Sequence, residues 1–352
     1  MADVVKMVHP KPASETREAL YGYLVGRPHA EEALPKLVKD YESFKAGASA
    51  RVPDVPFQML TSLEIGKEVW MEIARKASWQ ATRMNLNTFA RHGVFESHTV
   101  TTLVARRLRD PAEVRRARAF PYQLLTAFAS VGGDVPEQIR DALQDAMELA
   151  ISNVPALEGR VFICPDVSGS MRSPVTGFRP GATTATRCVD VAALIAAAVL
   201  RKNRDAEVLP FEHRVVDLRL NARDSVMTNA QKLAAVGGGG TSCSAPLEVL
   251  NARKAKGELV VLVSDNESWV DARAGRGTAL MREWSLFRER NPSARLVCID
   301  LQPYATTQAA EREDILNIGG FSDQVFGVVA DFAAGRLSAG HWIAEIDKVQ
   351  LN

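Results

Sequence analysis

Net charge is what this sequence has least of. Its 43 lysines and arginines face 42 aspartates and glutamates, leaving a formal charge of +1 over 352 residues. Such a chain does not draw polyanions through its overall field, so any nucleic-acid surface has to be a local patch. Cysteine is also scarce. Cys164, Cys188, Cys243 and Cys298 form no CxxC pair, which argues against a zinc ribbon or a disulfide scaffold. They read as small buried hydrophobes in a reducing cytosol. No stretch reaches the roughly 18 apolar residues of a membrane span, and MADVVKMVHPKP at the start lacks the apolar core of a secretory signal. The expectation is a cytoplasmic protein with no membrane partner.

Catalytic motifs are missing as well. DVSGSM (166–171) is not a G-x-S-x-G elbow, and no Asp–His pair follows it in the right strand context. GGGGTS (237–242) has no P-loop lysine, and no G-x-G-x-x-G follows a strand. His213 has no Cys or His partner nearby and reads as a surface histidine. The chain is therefore expected not to be an enzyme.

What is present is core material. Apolar residues make up 46% of the chain, enough for two domains of ordinary size. Residues 1–156 read as all-α. Apolar positions recur at three and four (Leu20, Tyr23, Leu24; Leu34, Leu37, Val38, Tyr41), and breakers such as Gly26-Arg27-Pro28, Pro53, Gly93 and Gly132-Gly133 set helices of about 10–16 residues. Short breaks between such helices predict an antiparallel, solenoid-like array.

From residue 157 to 352 the pattern becomes strand–helix alternation. VFICPD (161–166), ELVVLVSD (258–265) and ARLVCIDL (294–301) predict buried parallel strands. EVLPFEH (207–213), VVDLRL (215–220) and DQVFGVV (323–329) are read as further strands. Helices are expected at about 186–202, 224–236, 245–256 and 280–290. This is a doubly wound, mostly parallel, Rossmann-like α/β sheet.

The distinctive chemistry gathers where strands end. Asp166, Ser168 and Ser170 follow the first strand, Thr241 follows four glycines, and Asp265 closes ELVVLVSD. In open α/β sheets, ligand sites lie outside the carboxyl ends of strands. Three hydroxyls and two carboxylates suit Mg²⁺ or another divalent cation, a hard ion that takes oxygen ligands. The hydroxyls can bind directly, while the two aspartates hold waters and balance charge. An acidic group from a partner can complete the coordination. The set resembles the metal-ion-dependent adhesion site of von Willebrand factor A domains.

The wording around these residues narrows the resemblance. FICPDVSGSM (162–171), AAVGGGGTSCSAPL (234–247) and VVLVSDNESW (260–269) together resemble the Ro/TROVE family of RNA-binding proteins. VVKMVHPKP (4–12), SWQATRMNLNTFARHGVF (78–95) and FPYQLLTAF (120–128) are similar to its later helical repeats. The resemblance implies HEAT-like repeats in a ring closed by the A domain. It implies binding of Y-like small non-coding RNAs on the outer surface and of misfolded RNA ends through the hole. In bacteria it implies a link to exonucleases, which would be protein partners. The helical module here is roughly half the family's size. A natural minimal form, a second chain completing the ring and a fragment all remain open.

Candidate RNA-binding residues fall in three places. Lys6, His9 and Lys11 lie in the HPKP segment, which the resemblance puts on the RNA-binding face. Arg83, Asn85, Asn87 and Arg91 interleave with Trp79, Met84, Leu86 and Phe89, the apolar members being read as core. Arg106, Arg107, Arg115 and Arg116, with Arg109 and Arg118 beside them, can track a phosphate backbone or form a solvated helix face. The rival reading is a metal-dependent protein-binding A domain on a helical adaptor, without RNA.

Overall fold

The computed structural model describes residues 2–177, 186–265, 279–303 and 307–337, together with 343, 346 and 347. The chain divides into two compact units, 1–104 and 105–352. The helices in chain order are α1 (Ala2–Val8), α2 (Glu15–Val25), α3 (Lys36–Lys45), α4 (Phe57–Leu60), α5 (Lys67–Lys76), α6 (Trp79–Met84), α7 (Leu86–Arg91), α8 (His98–Leu108), α9 (Pro111–Arg116), α10 (Pro121–Ser130) and α11 (Glu137–Ala150). Then come β1 (Val161–Pro165), α12 (Cys188–Lys202), β2 (Glu207–Val208), α13 (Val226–Ala234), α14 (Ala245–Ala252), β3 (Leu259–Ser264), α15 (Ala279–Arg290), β4 (Arg295–Asp300), β5 (Ile315–Gly319) and α16 (Val325–Ala333). The first strand opens close to residue 157, where the sequence changes character, whereas the compact units part earlier, within α8.

The first unit is helical. Ser14 caps α2, its side chain accepting from Arg17 N–H at 3.3 Å, and Gly26 ends the helix at φ 72°. Ser78 caps α6 through Ala81 N–H in the same way. α5 buries Trp70, Met71, Ile73 and Ala74 and turns its lysines and arginine outward. Trp70 stacks on His92 with ring centroids 4.3 Å apart. Leu60, Trp79, Leu86, Phe89 and Val94 complete this core.

The second unit is built on a five-stranded, all-parallel sheet in the order β2-β1-β3-β4-β5. Side chains alternate between its faces. Phe162, Cys164, Val260, Leu262, Leu296 and Cys298 point to the face that packs against Leu247 and Leu250 of α14 and Trp284 and Phe287 of α15. Val261 and Ile299 point the other way, toward Ile195 and Val199 of α12 and Val325, Phe326 and Val329 of α16. α12 is buried from Cys188 to Leu200 except at Asp190, and its alanines let it lie close to the strands. All four cysteines are buried and free. Helices α10 and α11 pack in this unit too. Phe120 of the α10 N-cap stacks on Phe326, and Glu148 of α11 pairs with Arg201 of α12.

Three expected strands need correction. DQVFGVV (323–329) is the start of α16, not a strand. A short apolar run fits a strand and a buried helix equally. Here the run continues to Ala333 and stops at Gly335 with φ 77°, as a helix does. The last strand is instead ILNIG, whose Asn317 and Gly319 weaken its strand signal. VVDLRL (215–220) forms no strand; only Val215 makes an isolated bridge to Phe211. EVLPFEH contributes two residues of β2 and then isolated bridges at Phe211, to Asp166 and to Val215.

Asp314 ties α15 to the start of β5. Its carboxylate accepts from Trp284 Nε1 at 2.8 Å and from Arg312 at 2.9 and 3.0 Å, and it pairs with Arg288 at 3.0 Å. Burial alone would raise its pKa, but these donors and charges outweigh it and hold the carboxyl below the usual range. A depressed pKa stabilises the fold above the unfolded value of about 3.9 and stops doing so as pH falls through the folded value. Asp314→Asn is therefore expected to cost about 1–3 kcal/mol near neutral pH. Urea unfolding at pH 7 and at pH 3 should show that cost shrinking at the lower pH. An equal cost at both would mean that the charge is not what matters.

Candidate functional site

In the strand order observed, β1 and β3 flank the point where the winding reverses, the place where α/β sheets of this order bind ligands. Asp166 and Asp265 stand just past the ends of those two strands. Asp166 N–H donates to Val263 C=O at 2.8 Å and so continues the ladder one residue beyond β1. The Asp166 side chain is fully buried. One carboxylate oxygen accepts from Ser168 N–H at 2.8 Å and the other from Ser264 Oγ at 2.6 Å. This tight turn aims Ser168 and Ser170 the same way, with their hydroxyl oxygens 3.2 Å apart.

The glycine run lies against this turn, backbone to backbone. Gly238 N–H donates to Val167 C=O at 2.9 Å, and Gly169 N–H donates to Gly239 C=O at 2.9 Å. Glu212 clamps the far side, accepting from Gly239 N–H through Oε2 at 2.7 Å and from Ser242 N–H through its own carbonyl at 2.9 Å. Gly237 has φ 78°, and a Cβ there would sit 2.2 Å from the Val167 carbonyl oxygen. Thr241, buried, follows directly. The structure thus brings Asp166, Ser168, Ser170 and the segment carrying Thr241 to one edge of the sheet. The residues after Asp265 in the expected motif, Asn266–Trp269, lie outside the described residues.

Electrostatics mark the same edge. Burial pushes the Asp166 carboxyl up to about 7. The hydrogen bonds from Ser168 and Ser264 oppose that rise, and the charge of Asp265 adds to it. Asp300, at the end of β4, is also pushed up to about 7 by burial and by Asp265, against a hydrogen bond from Gln308. Burial and then Asp265 raise the Cys188 thiol to about 11. Three largely buried acids at neighbouring strand ends strain one another, and a cation relieves that strain. The donors are all oxygen, as a hard cation requires. Adjacent ligands of an octahedron with about 2.1 Å bonds stand about 3 Å apart, close to the spacing of the two serine hydroxyls. The residues present fit Mg²⁺.

Sequence reasoning missed Ser264, Asp300 and Glu212. The logic that picked Asp265 at a strand end applies equally to Asp300 in ARLVCIDL. Glu212 carried no such signal, because its role depends on a contact 27 residues away.

The RNA candidates fall in both units. In the first, Lys6 and His9 help line a cavity of about 320 Å³ with Tyr21 and Arg27, while Lys11 is exposed nearby in sequence. His9 holds φ 46°, a conformation rare outside glycine. Asn85 caps the junction of α6 and α7 and donates to Ala81 C=O at 2.8 Å. Arg83 is half-buried, and Asn87 and Arg91 are exposed. Met84, read as core, is 68% exposed. The reason is its place as the last residue of α6, on the face opposite Trp79 and Thr82.

In the second unit the arginines do not form one stripe. Arg116 pairs with Glu113 at 2.7 Å and Arg109 with Asp145 at 3.4 Å. Arg107 is half-buried, and burial lowers its pKa. Arg106 and Arg115 are exposed.

Comparison with known proteins agrees with this architecture. Residues 2–134 match the TROVE domain family and residues 160–333 match the Ro60 vWA domain family. RNA-binding protein RO60 of Deinococcus radiodurans is 25% identical over 358 residues, an alignment covering 96% of this chain and 66% of that protein. RNA-binding protein RO60 of Caenorhabditis elegans is 25% identical over 291 residues, covering 79% of this chain and 43% of that one. The chain therefore spans less than two thirds of the length of either relative. The crystal structure of the Deinococcus radiodurans RO (RSR) protein superposes with a TM-score of 0.73 at 25% identity, over 95% of this chain and 70% of that one.

Two glycines of the run test its packing. Gly237→Ala forces a positive φ on a Cβ and drives it into Val167, so it is expected to cost about 2 kcal/mol or more. Gly240→Ala meets nothing within 4 Å and should leave thermal unfolding nearly unchanged. Equal effects of the two would contradict the backbone contact described.

Proposed function

Since the chain belongs to the Ro/TROVE family, we propose that it is a non-catalytic RNA-binding scaffold whose A domain carries a separate, Mg²⁺-dependent site for an acidic partner. The observation that carries this reading is the succession of a TROVE module and a Ro60-type A domain along one chain. Its RNA would be a small non-coding RNA, Y-like or a misfolded RNA with a free end. The HPKP patch of Lys6, His9 and Lys11 would hold phosphate. Arg83, Asn85, Asn87 and Arg91 would meet bases or backbone without strong sequence preference. A balanced net charge supports such local patches and not a diffuse field.

At the metal site, Ser168, Ser170 and Thr241 would bind the cation through hydroxyl oxygens. Asp166 and Asp265 would balance its charge and orient its waters. The bound ion supplies an attraction for a carboxylate or phosphate brought by a partner, for which an exonuclease is a candidate. Asp166 keeps the turn in shape through its bond to Ser168 N–H, so its work in the protein alone is positioning.

Binding of RNA is read by electrophoretic shift of a stem–loop carrying a single-stranded 3′ tail. A shift at low salt that falls steeply as salt rises is expected. Lys6→Ala with Lys11→Ala should reduce the salt slope by roughly 1–2. No shift with any structured or tailed RNA at low salt ends the RNA reading and leaves the protein-binding A domain in its place. For the metal, Ser168→Ala with Ser170→Ala should abolish the calorimetric Mg²⁺ signal while the thermal midpoint moves little. An unchanged signal would show that these hydroxyls are not ligands.

A further inference from the structure

A second basic site lies in the larger unit, away from the strand ends. A basin of about 360 Å³ is lined by Arg115 of α9, Glu148 of α11, Arg201 and Lys202 in the last turn of α12, and Arg204 just beyond it. Four cations thus converge on one carboxylate. That carboxylate is already engaged on both oxygens: Arg201 Nε donates to one at 3.2 Å and Val226 N–H to the other. Arg201 also donates to Ala222 C=O at 3.2 Å. Glu148 and Arg201 therefore form a closed structural pair. Arg115, Lys202 and Arg204 have no acid partner among the described residues.

Two arginines near Arg115 are treated differently. Arg109 and Arg116, close by in sequence, each find an acid. A helix C-terminus favours basic residues in its last turn, which accounts for Arg201 and Lys202. It does not account for Arg115 on a different helix, or for Arg204 past the helix end. Three unpaired like charges drawn around one concavity raise the energy of the free protein and are relieved by an anion.

We propose that this basin binds phosphodiester groups of the RNA backbone, as a phosphate clamp on the A-domain unit distinct from the metal site. The proposal rests on the RNA-binding reading above. Guanidinium groups grip phosphate oxygens two at a time, and Lys202 adds a point charge. The basin is open to solvent, so a continuous strand can pass through it. Arg201 and Glu148 are its floor and position the clamp.

The test uses the full chain, the tailed stem–loop RNA and three variants. Arg115→Ala/Lys202→Ala/Arg204→Ala removes the clamp, and Arg204→Ala alone removes its outermost member. Arg214→Ala/Arg219→Ala/Lys256→Ala removes the same charge from exposed positions elsewhere in the unit. Loss of three phosphate contacts on a single strand should lower the salt slope by about 2 and the affinity at 0.1 M salt by tenfold to 100-fold. The single variant should lose a part of this, and the control should stay within twofold of wild type, all with unchanged thermal midpoints. Wild-type affinity in the clamp variant overturns the clamp and leaves RNA binding standing. Equal weakening in clamp and control variants also overturns it, as an effect of bulk charge. Failure of the wild-type chain to bind the RNA ends both readings.

Discussion

Two backbone hydrogen bonds, Gly238 N–H to Val167 C=O and Gly169 N–H to Gly239 C=O, hold together segments about seventy residues apart in the chain. Everything at the carboxyl edge of the sheet depends on that contact. It requires backbones to touch, so side chains have to be absent: at Gly237 a Cβ would overlap the Val167 carbonyl, and at Gly239 it would strike Glu212. Glycine gives up conformational entropy on folding, and four in succession make a loop that would not order unaided. Glu212 provides the order by taking Gly239 N–H with its carboxylate and Ser242 N–H with its carbonyl. Thr241 is caught between those two anchored residues.

The acids at this edge show why a fold would keep such a site. Asp166, Asp265 and Asp300 stand at the ends of three adjacent central strands, all at most 3% exposed. Burial and mutual repulsion raise the first and third to about 7. Hydrogen bonds from Ser168, Ser264 and Gln308 offset only part of that cost. A core built for stability alone would place apolar or neutral residues there. On the proposed reading, these perturbed acids at a topological switch point supply the charge of a binding site, and the serine hydroxyls beside them suit a hard cation.

How much of this was legible in the sequence varies by residue. VFICP, LVVLVS and RLVCID are largely apolar runs, so central parallel strands declared themselves, and Asp166 and Asp265 past the first two followed from the rule that sites lie past strand termini, while Asp300 at the end of the third was passed over. DQVFGVV failed because composition alone does not separate a strand from a buried helix; the deciding residues, up to Gly335, lay outside the run. β5 failed for the opposite reason, since ILNIG is an edge strand with Asn and Gly and little apolar contrast. Met84 looked like core because its helix is short: six residues give too few turns to set a face. Glu212 was invisible because its function exists only once the glycine loop has been folded against it.

The placement of the two proposed sites follows from one element. α12 starts beside the Ser168–Ser170 turn, where Cys188 N–H donates to Ser173 C=O at 3.0 Å. It ends at Asn203, whose side chain accepts from Leu157 N–H at 2.9 Å, just before β1 begins. The helix therefore crosses the sheet from its carboxyl edge to its amino edge, and fifteen residues at 1.5 Å each span about 22 Å. The acidic edge lies at its N-terminus and the basic basin at its C-terminus. Opposite charges are thereby kept too far apart to neutralise one another through solvent screened over a Debye length of about 8–10 Å. One well-packed helix thus sets the proposed cation site and the proposed phosphate basin at opposite edges of the sheet, so that on this reading occupation of one leaves the other's local field intact.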